Sequence, residues 1–235
     1  MRIDLNADVG ESSERWASGE DVALLDVVTS ANVCCGAYAG DDELITATCA
    51  ACVERDVAIG AQVGYPDREG FGRVPMDMAS DALREEVSRQ IAHLTDLAKS
   101  VDGQVTYVKP HGALYNTIVH DEVQAAAVVA AVQDAGLPLV GLPGAASVRL
   151  ARAAGVPVVR EGFADRRYTA DGTLVPRSEP GAVLDDPGDA AVQALHLLHD
   201  GVDSICVHSD SPGALAIASA VRTALEHTGA QVRHP

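Results

Sequence analysis

The chain has 235 residues, 47% of them apolar and only 3% aromatic, with 34 acidic against 17 basic side chains and a net charge of −17. That length suits one large α/β domain better than two small ones, and a core of this composition is built from Ala, Val, Leu and Ile in tight layers. The acidic balance and the lack of an arginine-rich run exclude nucleic acid and anionic membranes as partners, although a locally basic pocket for an anionic substrate stays compatible with them. Five cysteines, an odd number in a chain that is not short, argue against a disulfide framework. No basic leader with an apolar core opens the sequence and no run approaches about 18 uncharged apolar residues, so a cytoplasmic location is expected.

Residues 2–8 read as a first strand with Ile3 and Leu5 on one face, ending on Asn6, Asp8, Gly10, Glu11 and Ser12. Residues 20–25 form a short helix. A second β-branched run covers 27–35, and Asp41 or Asp42 is placed to cap a helix reaching Glu54. The third strand, 57–63, opens onto Gly64-Tyr65-Pro66-Asp67 and a glycine-rich loop to Arg73. Ser80 is expected to cap a helix to Lys99 with Leu83, Val87, Ile91, Leu94 and Ala98 on one stripe. A fourth strand, 105–108, empties onto Lys109, Pro110, His111 and Gly112, and the next helix runs from Asp121 to about Ala135. Strands at 137–142, 156–161 and 204–207 then alternate with helices at 144–154, 188–199 and 214–227. Residues 169–187 are mostly turn, punctuated by Asp171-Gly172, Pro176, Pro180-Gly181 and Asp186-Pro187. His234 lies in a tail expected to fray.

Seven short apolar strands alternating with helices indicate a mainly parallel sheet. An open doubly wound sheet and a barrel one strand short of the eight-stranded kind both fit. Polar residues follow strands one, two, three, four, six and seven, and only a closed ring brings all those ends together. Residues 1–235 are therefore read as a single β/α-barrel domain.

The candidate chemistry sits at those strand exits. Asp8 and Glu11 serve as metal ligands, bases or merely caps. Lys109 and His111, two apart, share a face if the strand persists through Pro110. Lys109 then offers a fixed charge and His111 a proton carrier, with Tyr115 and Asn116 nearby; the plainer reading is a hydrogen-bonded histidine beside a salt-bridged lysine. Arg73 suits a carboxylate or phosphate, or a surface ion pair. Asp165 and Arg166 mark the sixth exit, His208 and Asp210 the seventh. A metal site can be drawn from Asp8, His111, His208 and Asp210, but no short zinc signature supports it. Cys34 and Cys35 point to opposite faces, and Cys49 and Cys52 pack within a helix. Neither a P-loop nor a Rossmann fingerprint is present.

Several stretches together resemble one family. They are Ile3-Asp4-Leu5-Asn6-Ala7-Asp8-Val9-Gly10-Glu11, Thr29-Ser30-Ala31-Asn32-Val33-Cys34-Cys35-Gly36, Gly70-Phe71-Gly72-Arg73, Val108-Lys109-Pro110-His111-Gly112-Ala113-Leu114-Tyr115-Asn116, Phe163-Ala164-Asp165-Arg166-Arg167-Tyr168, and Val207-His208 with Asp210 and Pro212-Gly213-Ala214. In this order they resemble the LamB/YcsF family, the A component of prokaryotic ATP-dependent 5-oxoprolinase. The resemblance implies a seven-stranded TIM-like barrel similar to sugar and peptidoglycan deacetylases. It implies cleavage of 5-oxoproline to L-glutamate with ATP hydrolysis, alongside B and C subunits. It places catalytic roles on Asp8, Lys109, His111, Asp165, His208 and Asp210, and substrate or phosphate binding on Asn6, Glu11, Arg73, Tyr115, Asn116 and Arg166. A divalent metal and a homo-oligomer stay open. The alternatives are a metal-dependent deacetylase or amidohydrolase, and a non-catalytic substrate-binding subunit. Three positions depart from the family pattern: Tyr38 and Gln62 stand where it usually has histidine, and Ser209 where it has glycine.

Overall fold

The structure, a computed structural model, describes residues 1–211 and 213–234; Pro212, part of the last quoted motif, lies outside the described residues. Seven strands, β1 (Arg2–Val9), β2 (Ser30–Cys34), β3 (Ala58–Val63), β4 (Val105–Pro110), β5 (Leu139–Gly141), β6 (Val158–Phe163) and β7 (Ser204–Val207), pair in sequence order. Each pair is parallel, and β1 bonds to both β2 and β7, which closes the ring. The expected seven-stranded barrel is therefore present. Around it lie α1 (Ser13–Ser18), α2 (Glu20–Leu25), α3 (Asp42–Glu54), α4 (Ser80–Lys99), α5 (Gly112–Thr117), α6 (Glu122–Ala135), α7 (Ala146–Ala153), α8 (Pro187–His199) and α9 (Ala214–His227).

Alternation along the strands separates two environments. On β1, Ile3, Leu5, Ala7 and Val9 belong to the main apolar layer, while Asp4, Asn6 and Asp8, equally buried, engage polar partners inside the barrel. The α4 stripe of Leu83, Val87, Ile91, Leu94 and Ala98 is buried as the periodicity predicts. The side chain of Asp41 caps α3 and that of Asp121 caps α6.

Four expectations need correction. Ser80 does not cap α4: the Ala79 carbonyl accepts from Leu83 N–H at 2.9 Å, so Ser80 is already the first helical residue, and the cap position makes no side-chain bond. β4 continues two residues past Val108, because Lys109 and Pro110 stay in register with Gln62 and Val63. A turn of helix, α5, follows at once instead of waiting for His120; Gly112 begins it at φ +56°, where its missing Cβ lets the Gly72 carbonyl approach. The tail is not frayed: Gln231–Val232 forms β8, with Gln231 N–H donating to the Met1 carbonyl at 2.8 Å and Arg233 N–H to that of Ile3 at 2.9 Å.

Between β3 and β4 the register slips once, between Ile59 and Gly60, leaving Thr106 unpaired. Tyr107 thereby lies over Gly60, where a Cβ would stand 2.0 Å from its ring, and its hydroxyl donates to Asn32 Oδ1 at 2.8 Å. Gly60→Ala should therefore lower stability by about 1–3 kcal/mol, read from denaturant midpoints. A midpoint equal to the parent's would show that the Gly60–Tyr107 contact does not constrain the barrel.

Candidate active site

The carboxyl ends of the strands open into a cleft of about 580 Å³. Its floor is a polar network hung on Lys109. This side chain is 3% exposed, and its Nζ lies 2.9 Å from Glu161 Oε1, 3.2 Å from both Asp8 Oδ1 and Asn6 Oδ1, and 3.0 Å from Cys206 Sγ. Burial favours the neutral amine, but Asp8, Cys206 and Glu161 outweigh it and hold the ammonium well above its ordinary pKa. Burial likewise opposes charge on Asp8; Lys109, His208 and His111 overcome it and keep the carboxylate well below its usual range. Asn32 donates to Asp8 Oδ1 at 2.8 Å and to Asn6 Oδ1 at 2.7 Å, and Asn6 donates onward to Ser204 and Glu161. Asn6 thus lies beneath the cleft rather than in its wall.

His111 and His208, both placed at strand exits, occupy different environments. His111 is wedged against Tyr38, ring centroids 4.1 Å apart and planes parallel. Its Nε2 lies 3.0 Å from the Phe71 carbonyl, a pure acceptor, so Nε2 carries the hydrogen. Its Nδ1 then accepts from Gln62 Nε2 at 3.1 Å. Burial is the main cause that pushes its pKa down, to about 4. His208 instead meets Asp165 through Nδ1 at 2.9 and 3.1 Å, while its backbone N–H and the Ser211 hydroxyl also donate to that carboxylate. Burial would raise the Asp165 pKa; His208 reverses this and the acid stays ionised. A carboxylate on Nδ1 fixes the imidazole and directs Nε2 away from it, and His208 lines the cleft.

Glu11 approaches His111 Nδ1 at 3.6 Å; burial and repulsion from Asp8 and Asp210 hold its carboxyl well above its normal pKa. Tyr115 lines the cleft beside Glu161, and burial together with that carboxyl keeps its hydroxyl protonated. Asn116 turns back on its own helix, Nδ2 donating to the Gly112 carbonyl at 3.0 Å. Arg73 and Arg166 both line the cleft, and Asp210 sits behind them, bonded to Arg73 and Arg177.

Asp8, Glu11 and His111 present ligand atoms within 4.8 Å of one another, close enough to share a cation. Two carboxylates and an imidazole suit a divalent ion, and its charge would relieve the Asp8–Glu11 repulsion, provided that His111 Nδ1 gives up the Gln62 amide. The quartet drawn from sequence is not assembled: His208 is turned to Asp165, and Asp210 to Arg73 and Arg177. Sequence reasoning gave no role to Glu161, Tyr107 or Arg177. Glu161 was legible only as a charged residue closing an apolar strand, and Arg177 only as a lone cation in a turn-rich loop.

A closed β/α barrel with polar groups from different strand ends gathered in one cleft defines an enzyme-like scaffold. The LamB/YcsF family profile matches residues 3–235, and the chain belongs to that family. It is 52% identical, over 99% of each chain, to the A component of the 5-oxoprolinase from Paracidovorax citrulli. It superposes on the lactam utilization protein of Thermus thermophilus with a TM-score of 0.91 at 39% identity, covering 99% of both chains. A family 4 carbohydrate esterase from Streptomyces lividans shares only the fold, with a TM-score of 0.55 and 13% identity over 98% of this chain and 91% of that one.

The folded pKa of His111, about 4, lies below the 6.5 of a free imidazole. The unfolded chain therefore takes up a proton first on acidification. The stability held by neutral His111 is complete above pH 6.5 and is lost between 6.5 and 4. Imidazole ¹⁵N spectra should show an unchanged Nε2–H tautomer for this residue at about pH 5.5. A protonation midpoint at about 6 or higher would contradict the arrangement.

Proposed function

We propose that this chain is the A component of an ATP-dependent 5-oxoprolinase, opening the lactam of 5-oxo-L-proline to L-glutamate together with B and C subunits. The observation that carries this reading is end-to-end similarity, at 52% identity, to a relative bearing that name. The deacetylase alternative keeps only a likeness of fold at 13% identity. No helix among the described residues is long and apolar enough to cross a membrane.

A lactam carbonyl is a weak electrophile. Phosphoryl transfer from ATP to its oxygen releases ADP and makes the ring carbon a target for water; expulsion of the ring nitrogen leaves the γ-carboxyl as an acyl phosphate, which a second water hydrolyses to glutamate and phosphate. The cleft supports the parts of this chemistry that a protein supplies. His208, oriented by Asp165, offers Nε2 to take a proton from the attacking water and return it to the departing ring nitrogen. Lys109 and the protonated Tyr115 present positive charge and a donor where negative charge develops on the carbonyl oxygen. The arginine wall of the cleft, Arg73 and Arg166 with Arg177 beside them, holds the substrate's negative charge. Asp8 and Glu161 fix Lys109 rather than react. If a divalent ion joins the site, Asp8, Glu11 and His111 would hold it, and it would supply Lewis-acid polarisation. His111, neutral and bonded at both nitrogens, positions the Phe71 loop against the cleft.

The test is 5-oxoproline-dependent glutamate formation by this chain alone and then with its B and C partners. His208→Gln should lower turnover in the reconstituted complex by about a hundredfold, and His111→Asn by about tenfold or more, with folding preserved in both. Unchanged turnover in either variant sinks the role given to that histidine.

A further inference from the structure

Three guanidinium groups meet at one wall of the cleft in a chain whose net charge is −17. Arg73 follows β3, and Arg166 and Arg177 come from the excursion between β6 and α8. Its backbone is pinned by the bridge pairs Arg166–Val183 and Tyr168–Leu174. Two of the three cations share one carboxylate, Asp210: Arg73 Nη2 bonds to its Oδ2, and Arg177 Nη1 lies 3.2 and 3.1 Å from Oδ1 and Oδ2. The neighbouring acid, Asp165, is already engaged by His208 and Ser211.

The donors are not exhausted. Arg166 is 5% exposed, and its Nη2 donates to the Val175 carbonyl at 2.7 Å, but its Nε has no partner within the protein. Arg177 Nη2 is also buried and unpartnered. Unpaired guanidinium donors in a low-dielectric wall are costly, and two like charges side by side increase the cost. Burial and the Arg177 charge both push the Arg166 pKa down, the direction expected of a cation short of acceptors. Arg166 and Arg177 both line the cleft, so an oxyanion there would meet their guanidinium groups, whose planar fork matches the oxygens of a carboxylate or phosphoryl group.

We propose that Arg166 and Arg177 form an oxyanion-binding subsite, taking the substrate's carboxylate or a phosphoryl group, and that Asp210 occupies Arg177 and Arg73 as an internal competitor until that anion arrives. Assignment of the carboxylate to 5-oxoproline rests on the oxoprolinase reading; the affinity for an oxyanion does not.

Calorimetric titration of the full chain with 5-oxo-L-proline, its uncharged amide 5-oxo-L-prolinamide and inorganic phosphate tests this. Arg177→Gln should weaken binding of every anion that the parent binds by about tenfold or more, while leaving the amide unchanged. Arg177→Lys, which keeps the charge but loses the fork, should fall between the two and guards against a folding defect. Asp210→Asn should tighten phosphate by about threefold or more, because it frees two guanidiniums. The subsite is overturned if the parent binds neither anion, if Arg177→Gln retains anion affinity, or if the amide is lost equally. Unchanged or weaker phosphate binding in Asp210→Asn overturns the competitor role. Arg177-dependent phosphate binding with no binding of 5-oxoproline would uphold the subsite and fail the oxoprolinase reading, so the two are told apart.

Discussion

One ammonium inside the barrel organises the molecule. Lys109 is nearly inaccessible and stands between Asp8 on β1 and Glu161 on β6, so three strands meet at a single charge. Without it, two buried carboxylates would face each other in a low dielectric, a loss of about 3–5 kcal/mol for a broken buried pair. The need to place Nζ there explains much of the surrounding construction. β4 has to stay extended through Pro110, and Tyr107, on the same face two residues earlier, needs the space that Gly60 leaves. Asn32, held by Tyr107, then donates to both Asn6 and Asp8. Below this, Asp4 accepts from Thr29, Ser30 and Ser204, so polar contacts run down the inside of β1.

The same scaffold gives two histidines opposite assignments. His111 contacts a carbonyl, an amide and a phenol ring, and burial holds it neutral. His208 has a buried ionised carboxylate on Nδ1 and an open side toward the cleft. An imidazole with both nitrogens committed is a poor proton carrier; one with a carboxylate on a single nitrogen is the usual carrier in hydrolytic sites. Residue type and strand-exit position are alike for the two. Only their partners, which come from β3 in one case and the exit of β6 in the other, distinguish them.

That difference marks what was legible from sequence. Strand–helix alternation, the α4 stripe and the clustering of polar residues after strands were enough to anticipate a closed parallel barrel, because each is a local pattern with a fixed period. The family motifs located the cleft. Partner choice was not legible, since Lys109–Glu161 spans 52 positions and Arg73–Asp210 spans 137. Glu161 was hidden because a charge ending an apolar strand looks like a solvent-facing terminus, whereas a barrel interior buries it completely. The extension of β4 was hidden for a different reason: Pro110 and Gly112 are breakers by composition, yet Pro110 needs no donor at its place beside Val63 and Gly112 tolerates the left-handed turn.

The two departures from the family's usual histidines converge, although 24 residues separate them: Tyr38 stacks on the His111 ring and Gln62 donates to its Nδ1. Neither replacement can exchange a proton near neutral pH; burial raises the Tyr38 phenol well above its ordinary pKa, and an amide does not titrate. This side of the cleft therefore holds a single imidazole, His111, and it is neutral. The imidazole with a carboxylate on one nitrogen is His208, where Asp165 stands beside the arginine wall. The hydrogen bond from Gln62 to Nδ1 also occupies the nitrogen that faces Glu11, so any cation shared by Asp8, Glu11 and His111 must compete with it. Tyr38 and Gln62 thus engage the one imidazole on this face of the barrel, while the Lys109 network and the Asp165–His208 pair keep separate partners of their own.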